Sequence, residues 1–148
     1  MNETDLHFFI DSTTNYFEEV TREKAVAGIP YLKGNDPVVL EYSGIIGISG
    51  KRKGCVYLTT TRQMLESLAN IILDVDAVTT ETVKDLAGEI ANTIAGNVRE
   101  AYGDSFMISV PVVVEGQARD IRLPDEVQAF VIPLTWKGEK SYLVVCLE

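Results

Sequence analysis

The chain repeats the same order of predicted elements twice, and this repetition restricts its fold more than any single motif does. The segment GIPYLKG (28–34) resembles SVPVVVEG (109–116), and IGISGKRKGCVYLTT (46–60) resembles IPLTWKGEKSYLVVC (132–146). A helix-forming stretch precedes each pair, so each half combines a helix, a proline-bearing strand and a hairpin with a Lys/Gly turn. We therefore predict an α+β fold of pseudo-duplicated helix-strand-hairpin units, with a largely antiparallel sheet and two long helices packed on one face.

Periodic apolar residues and capping signals give the predicted element bounds. The first helix is predicted over residues 4–21 with Thr4 as a possible cap, and the third from Thr79 or Thr80 to Tyr102, with Gly103 as its stop. A short helix at 61–73 should direct four apolar side chains inward, namely Met64, Leu65, Leu68 and either Ile71 or Ile72. Strands are predicted at 25–32, 37–49, 55–61, 105–116, 127–136 and 141–148, with a polar loop at 117–126 and a solvated basic hairpin tip at 51–53.

Length and charge limit the classes of function. The 148 residues suit one domain (1–148), and the formal net charge of −9 argues against nucleic acid and an anionic membrane surface as partners. That charge favours a partner with basic groups or a bound cation. No apolar stretch approaches the roughly 20 residues of a membrane span, and the acidic N-terminal stretch does not resemble a signal peptide. We therefore expect a cytoplasmic protein with reduced thiols at Cys55 and Cys146 and, for want of metal or nucleotide motifs, no cofactor of its own.

The stretch DLAGEIANTIAGN (85–97) lies inside the third predicted helix, although each of its two glycines costs about 1 kcal/mol relative to alanine. At 100° per residue, one apolar stripe should be buried, formed by Val83, Leu86, Ile90, Ile94, Val98 and Ala101. The opposite face consists of Asp85, Glu89, Asn92 and Gly96, flanked by Gly88. This face is either an ordinary solvated surface or a rigid site for a macromolecule. In the second case the glycines give clearance for a partner, the amide holds a water and a carboxylate anchors a lysine.

The pattern D-x-x-x-E-x-x-N, formed by Asp85, Glu89 and Asn92 and followed after a gap by Pro111, resembles the signature of the CheC/CheX/FliY family of chemotaxis phosphatases. The duplicated architecture resembles that family too, most closely its short CheX form. The resemblance implies a CheC-like fold and removal of the aspartyl phosphate from CheY-like response regulators. It implies that Glu89 pairs with the regulator's lysine and that Asn92 orients the attacking water.

The same resemblance assigns supporting parts to the remaining residues of the pattern. Asp85 would assist binding, Pro111 would shape the strand beside the site, and Gly88 and Gly96 would admit the partner. The regulator would supply Mg²⁺, and the chain would form a homodimer through edge strands such as PVVV (111–114). In the first helix Ser12 stands where an acid would precede Asn15, so one site per chain is expected.

Two other functions remain open at this point. A catalytically silent module of the same family would bind a receiver domain, or take part in a signalling or flagellar switch assembly. A small-ligand sensor domain is a third possibility, which no pocket motif supports. The paired Glu89 and Asn92 favour the enzyme.

Overall fold

The computed structural model describes residues 1–116, 121–124 and 126–148, so the predicted loop at 117–126 lies partly outside the described residues. The helices are α1 (Glu3–Thr21), α2 (Arg62–Ile72) and α3 (Thr80–Tyr102). The strands are β1 (Val26–Ala27), β2 (Tyr31–Leu32), β3 (Tyr42–Gly50), β4 (Gly54–Thr60), β5 (Phe106–Ile108), β6 (Val112–Glu115), β7 (Ala129–Trp136) and β8 (Glu139–Leu147). None of the described helices combines the length and the apolar character needed to cross a membrane.

The strands form one sheet in which every described pairing is antiparallel, in the order β1-β7-β8-β4-β3-β5, with β2 also beside β7 and β6 also beside β3. The hairpins β3–β4 and β7–β8 meet at the centre through β4 and β8. Each proline-bearing segment pairs with the hairpin of the other half. The predicted α+β duplication is thus confirmed, and the two halves interlock within one continuous sheet.

Side-chain caps set where the helices begin. Asn2, rather than the predicted Thr4, caps α1, because it accepts a hydrogen bond from the Asp5 backbone while the Asp5 carboxylate accepts one from the Asn2 backbone. Thr61 caps α2 and Thr79 caps α3. The third helix ends, as predicted, where Gly103 takes a positive φ of 76°.

All three helices pack on one face of the sheet and share one core with it. The predicted stripe of α3 is buried except for Ala101, which is exposed in the last turn. In α2 the buried set includes Ala69, and Ile72 packs against the core while Ile71 is exposed. The apolar periodicity therefore identified the buried faces, with errors near helix ends and at Gly88, which is buried in the middle of α3.

A second, smaller apolar cluster covers the opposite face, around Tyr57, Val131 and Val144. Residues 37–41, predicted as part of a strand, lie over this face instead, and the Tyr57 hydroxyl donates a hydrogen bond to the Val38 carbonyl at 2.8 Å. Cys55 and Cys146 are free thiols opposite each other on β4 and β8. Burial, and then the neighbouring Cys146, raises the pKa of Cys55 to about 11.

The basic hairpin tip is only partly solvated, contrary to the prediction. Arg52 folds back and binds the buried Asp5 carboxylate through both terminal nitrogens, at 2.8 and 3.1 Å, and its Nε donates to the Glu148 carbonyl. The Tyr102 hydroxyl donates to the same carboxylate. This cluster ties the start of α1, the first hairpin and the end of α3 together.

Candidate functional site

The predicted site lies on the outer face of α3. Its inner stripe is buried against the sheet, which leaves Asp85, Glu89 and Asn92 exposed along one line. Within the described residues, the side chains of Glu89 and Asn92 have no ion pair and no hydrogen-bond partner. A free carboxylate and a free amide, three positions apart on one helix face, can both engage the same external molecule.

A shallow cleft of about 400 Å³ brings most of the predicted residues together. One wall is α3 with Asp85, Gly88, Glu89 and Asn92, and the other is the edge segment with Pro111 and Val113. Gly96 does not line this cleft. Val113 is the one lining residue that the sequence pattern missed, since its place depends on how the edge segment is registered against the sheet.

The glycine at position 88 serves internal packing. It is buried, and a Cβ atom placed there would lie 2.9 Å from Val113 Cγ2 and 3.5 Å from two Pro111 ring carbons. The protein's own edge segment fills the space beside this glycine, so internal packing explains the absence of a side chain there, and its use by a partner stays a prediction. At Gly96 an added Cβ would meet nothing within 4 Å, so of these two glycines of α3 Gly96 is the one that leaves open room.

A second glycine, Gly44 of β3, lets α3 lie close to the sheet. A Cβ atom there would lie 2.5 Å from the Ala87 carbonyl oxygen and 3.0 Å from Ala91 Cβ. Sequence reasoning missed this contact. The run of small residues at Ala87, Ala91 and Ala95 on α3 was the available signal, since small side chains on a buried face permit close approach.

A β-bulge positions Pro111 beside the helix. Ile48 pairs with Ile108 and Ile45 pairs with Val112, so the three residues 109–111 face only two residues of β3. The predicted continuous strand at 105–116 is therefore two strands with a bulge between them. Pro111 has no N–H to donate to the ladder, which favours a break at this point.

The side chain of Ser109 holds the bulge closed. Its Oγ accepts a hydrogen bond from the Gly47 N–H at 2.8 Å, and its own N–H donates to the Gly47 carbonyl at 2.9 Å. The edge segment is thus bound to β3 on both sides of the bulge, and these pairings position Pro111 beside α3.

The site is acidic and contains no metal-binding cluster. Burial, and next the charge of Glu89, raise the pKa of Tyr16 to about 12, so this phenol on α1 stays protonated near the site. In the described parts of the chain, no group of three or more His, Cys, Asp or Glu side chains is arranged to hold a metal ion. The available chemistry is charge pairing by carboxylates and hydrogen bonding by an amide.

The family model described as chemotaxis phosphatase CheX matches residues 42–135, well over half of the chain. The chain belongs to the CheX family. The matched residues contain all of α3 and the edge segment with Pro111, so the CheX match covers every residue of the cleft. A search of curated proteins finds no match.

Solved structures share the CheX fold over the whole chain. The CheX protein of Desulfovibrio desulfuricans is 26% identical, with a TM-score of 0.88 and coverage of 98% of this chain and 99% of that one. A CheC-like superfamily protein from Shewanella sp. PV-4 is 26% identical, with a TM-score of 0.87 over 100% and 99% of the two chains. A chain of the CheX-CheY-BeF3-Mg²⁺ complex from Borrelia burgdorferi is 20% identical over 97% of each chain, with a TM-score of 0.77, which shows the fold.

The first helix of this CheX-family chain presents a different surface at the matching positions. Ser12 is buried and its Oγ donates a hydrogen bond to the Ile94 carbonyl at 2.9 Å. Asp11 and Asn15 line a separate cleft of about 310 Å³ between α1 and α3. The first copy therefore offers no carboxylate three residues before its amide.

Proposed function

We propose that the chain is a phosphatase that removes the aspartyl phosphate of a CheY-like receiver domain. One observation carries the proposal: the side chains of Glu89 and Asn92 are exposed on a helix whose other face is buried, and they have no ion pair or hydrogen bond with any described residue. Membership of the CheX family supports it. So does the fold shared with the CheX chain of the Borrelia burgdorferi complex, which contains CheY, BeF3 and Mg²⁺.

In this proposal the two side chains have separate tasks. The Glu89 carboxylate binds the lysine of the receiver's active site through a charge-assisted hydrogen bond. The Asn92 amide enters that active site and orients the attacking water by accepting and donating hydrogen bonds. Phosphoryl transfer depends mainly on positioning and electrostatic stabilisation, which a carboxylate and an amide can supply. Asp85 supports binding, and the receiver supplies the Mg²⁺.

A second proposal concerns the oligomeric state. The edge formed by β1 and β2 exposes Val26, Ile29, Tyr31 and Leu32, and we propose that a homodimer forms there. The edge segment named from the sequence, PVVV at 111–114, lies beside the cleft, and pairing there would cover the site. The cytoplasmic location expected from the sequence stays a prediction.

The enzymatic test follows the phosphate directly. A CheY receiver labelled with acetyl phosphate and Mg²⁺ should lose its phosphate faster when the chain is added. Asn92→Ala should remove about 100-fold or more of that acceleration, comparable to the loss of one transition-state hydrogen-bond donor in other enzymes. Asn97→Ala is the matched control, because this exposed amide lies on the same helix but outside the cleft.

A binding measurement separates the enzyme from the silent module. Affinity for the beryllofluoride-activated receiver should fall about tenfold in Glu89→Ala and stay unchanged in Glu100→Ala, an exposed acid on the same helix. Binding by the wild type without faster phosphate loss would favour the silent module. Equal phosphate loss by Asn92→Ala and the wild type would remove Asn92 from the mechanism.

A further inference from the structure

Val110 is held in solvent at the rim of the cleft. It occupies the middle of the bulge, next to Pro111, which lines the cleft, and it is 80% exposed. Its own carbonyl accepts a hydrogen bond from the Ser109 hydroxyl, so the backbone beneath it is fixed. A large aliphatic side chain exposed on a rigid backbone gains its hydrophobic stabilisation only when another molecule covers it.

The first half of the chain contains an equivalent bulge with an exposed aliphatic side chain. Ala27 pairs with Leu134 and Tyr31 with Val131, so residues 28–30 also place three residues against two. The Gly28 N–H donates to the Pro133 carbonyl as the Ser109 N–H does to Gly47. Ile29 occupies the place of Val110 and is 88% exposed, and these two are the most exposed large hydrophobic side chains among the described residues. Bulges of this kind redirect a side chain out of the sheet.

A macromolecule that reaches Asn92 must cover Val110. A standard protein interface buries roughly 800 Å² on each partner, which corresponds to a patch roughly 16 Å in radius. Val110 directly precedes the lining residue Pro111 in the chain, and adjacent Cα atoms are about 3.8 Å apart. Ile29 lies at the opposite edge of the sheet, outside such a patch, because four other strands, β7, β8, β4 and β3, separate the two edges.

We propose that Val110 is an apolar docking contact for the receiver domain and that it sets affinity rather than the rate of hydrolysis. This inference rests on the proposed phosphatase function and adds a chemical requirement for the substrate. The receiver must present an apolar patch beside the lysine that Glu89 binds. Because Val110 contacts the partner away from the reacting phosphate, its contribution is equal in the ground state and the transition state.

The test compares Val110→Ser with Ile71→Ser, because Ile71 is an exposed aliphatic residue of α2 that lies outside both the cleft and the β1–β2 edge. The affinity for beryllofluoride-activated CheY receiver should fall about tenfold in Val110→Ser and stay within twofold of the wild type in Ile71→Ser. In the hydrolysis assay, Val110→Ser should raise KM by a similar factor and leave kcat unchanged. Val110→Ile should retain wild-type affinity, and urea unfolding should confirm that all three variants fold.

The outcomes separate this inference from the proposed function. If the wild type binds and hydrolyses while Val110→Ser keeps its affinity, the docking contact is overturned and the phosphatase stands. A lower kcat at unchanged KM would also overturn it, since that would place Val110 in the chemical step. If the wild type neither binds nor hydrolyses the receiver, both are overturned.

Discussion

The two halves of the molecule have the same order of elements but differ in the residues that their long helices, α1 and α3, expose to solvent. On α3, Glu89 is exposed and Gly88 lets the helix lie against Pro111. On α1, the residue at the place of Glu89 is Ser12, which is buried and bonded to the backbone of α3. The sheet therefore positions both helices in the same way, and the proposed site on α3 differs from α1 in having an exposed carboxylate three residues before its amide, with a bulged edge strand beside them.

The largest difference between the halves should appear in catalysis. Asn15→Ala, the first-half counterpart of Asn92→Ala, should leave receiver dephosphorylation within twofold of the wild type, against the loss of about 100-fold expected at Asn92. The reason is that Asn15 faces a different cleft with no carboxylate three residues before it. Initial rates of phosphate loss at matched protein concentrations measure both. A loss of only about half of the rate in each variant would mean that both helix faces are active sites and would contradict this expectation.

The two hairpin tips provide the next comparison, in stability. Arg52 of the first tip binds the buried Asp5, whereas Lys137 of the second lies 3.5 Å from the exposed Glu23. Asp5→Asn should lower the free energy of unfolding at pH 7 by about 2 kcal/mol, and Glu23→Gln by less than about 0.5 kcal/mol. Urea denaturation measures both, and similar values would show that burial does not distinguish the two tips.

The ion pair between Arg52 and Asp5 also makes the stability of the fold depend on pH. Burial alone would raise the pKa of Asp5, but hydrogen bonds from Arg52, Tyr102 and the Asn2 backbone outweigh it and hold the pKa below its ordinary value of 3.8. The native carboxylate thus binds a proton less readily than the unfolded one. Its contribution to stability is full above the unfolded pKa and is lost as the pH falls through the lower native value. Asp5→Asn should reduce the acid sensitivity of unfolding in that range.

The smallest expected difference lies between the two glycines of α3. Gly88→Ala should destabilise the fold by about 1 kcal/mol, because the new Cβ would press on Val113 and outweigh the gain in helix propensity. Gly96→Ala should stabilise it by about 0.5–1 kcal/mol, since the space there is open. Urea titrations of the two variants test this. Stabilisation by both would mean that the edge segment yields at no cost.

The sequence predicted the elements better than their pairing. Apolar periodicity located α1, α2 and α3, because each has one face that must be buried. The exchange of proline-bearing segments between halves was not predictable, since strand pairing depends on residues far apart in the chain. The interaction of Arg52 with Asp5 was missed for the same reason, because 47 residues separate the two.

The sequence predicted the side of the cleft formed by α3, but it did not predict how the opposite side, formed by Pro111 and Val113, is built. Helical spacing alone placed Asp85, Glu89 and Asn92 on one exposed line. The packing of Gly88 against Val113 and Pro111 was missed because a glycine in a sequence does not show which backbone or side chain approaches it. The bulge at Ser109 depends on a shift of one residue in strand register, which the sequence pattern does not encode.

We propose that the chain has a single receiver site, on α3. Isothermal titration calorimetry of beryllofluoride-activated CheY receiver into the wild-type chain, with Mg²⁺ present, measures the number of sites directly. We expect one receiver bound per chain, with affinity weakened about tenfold by Glu89→Ala and unchanged by Ser12→Ala. Two receivers per chain, or one whose affinity responds to Ser12→Ala and not to Glu89→Ala, would contradict it.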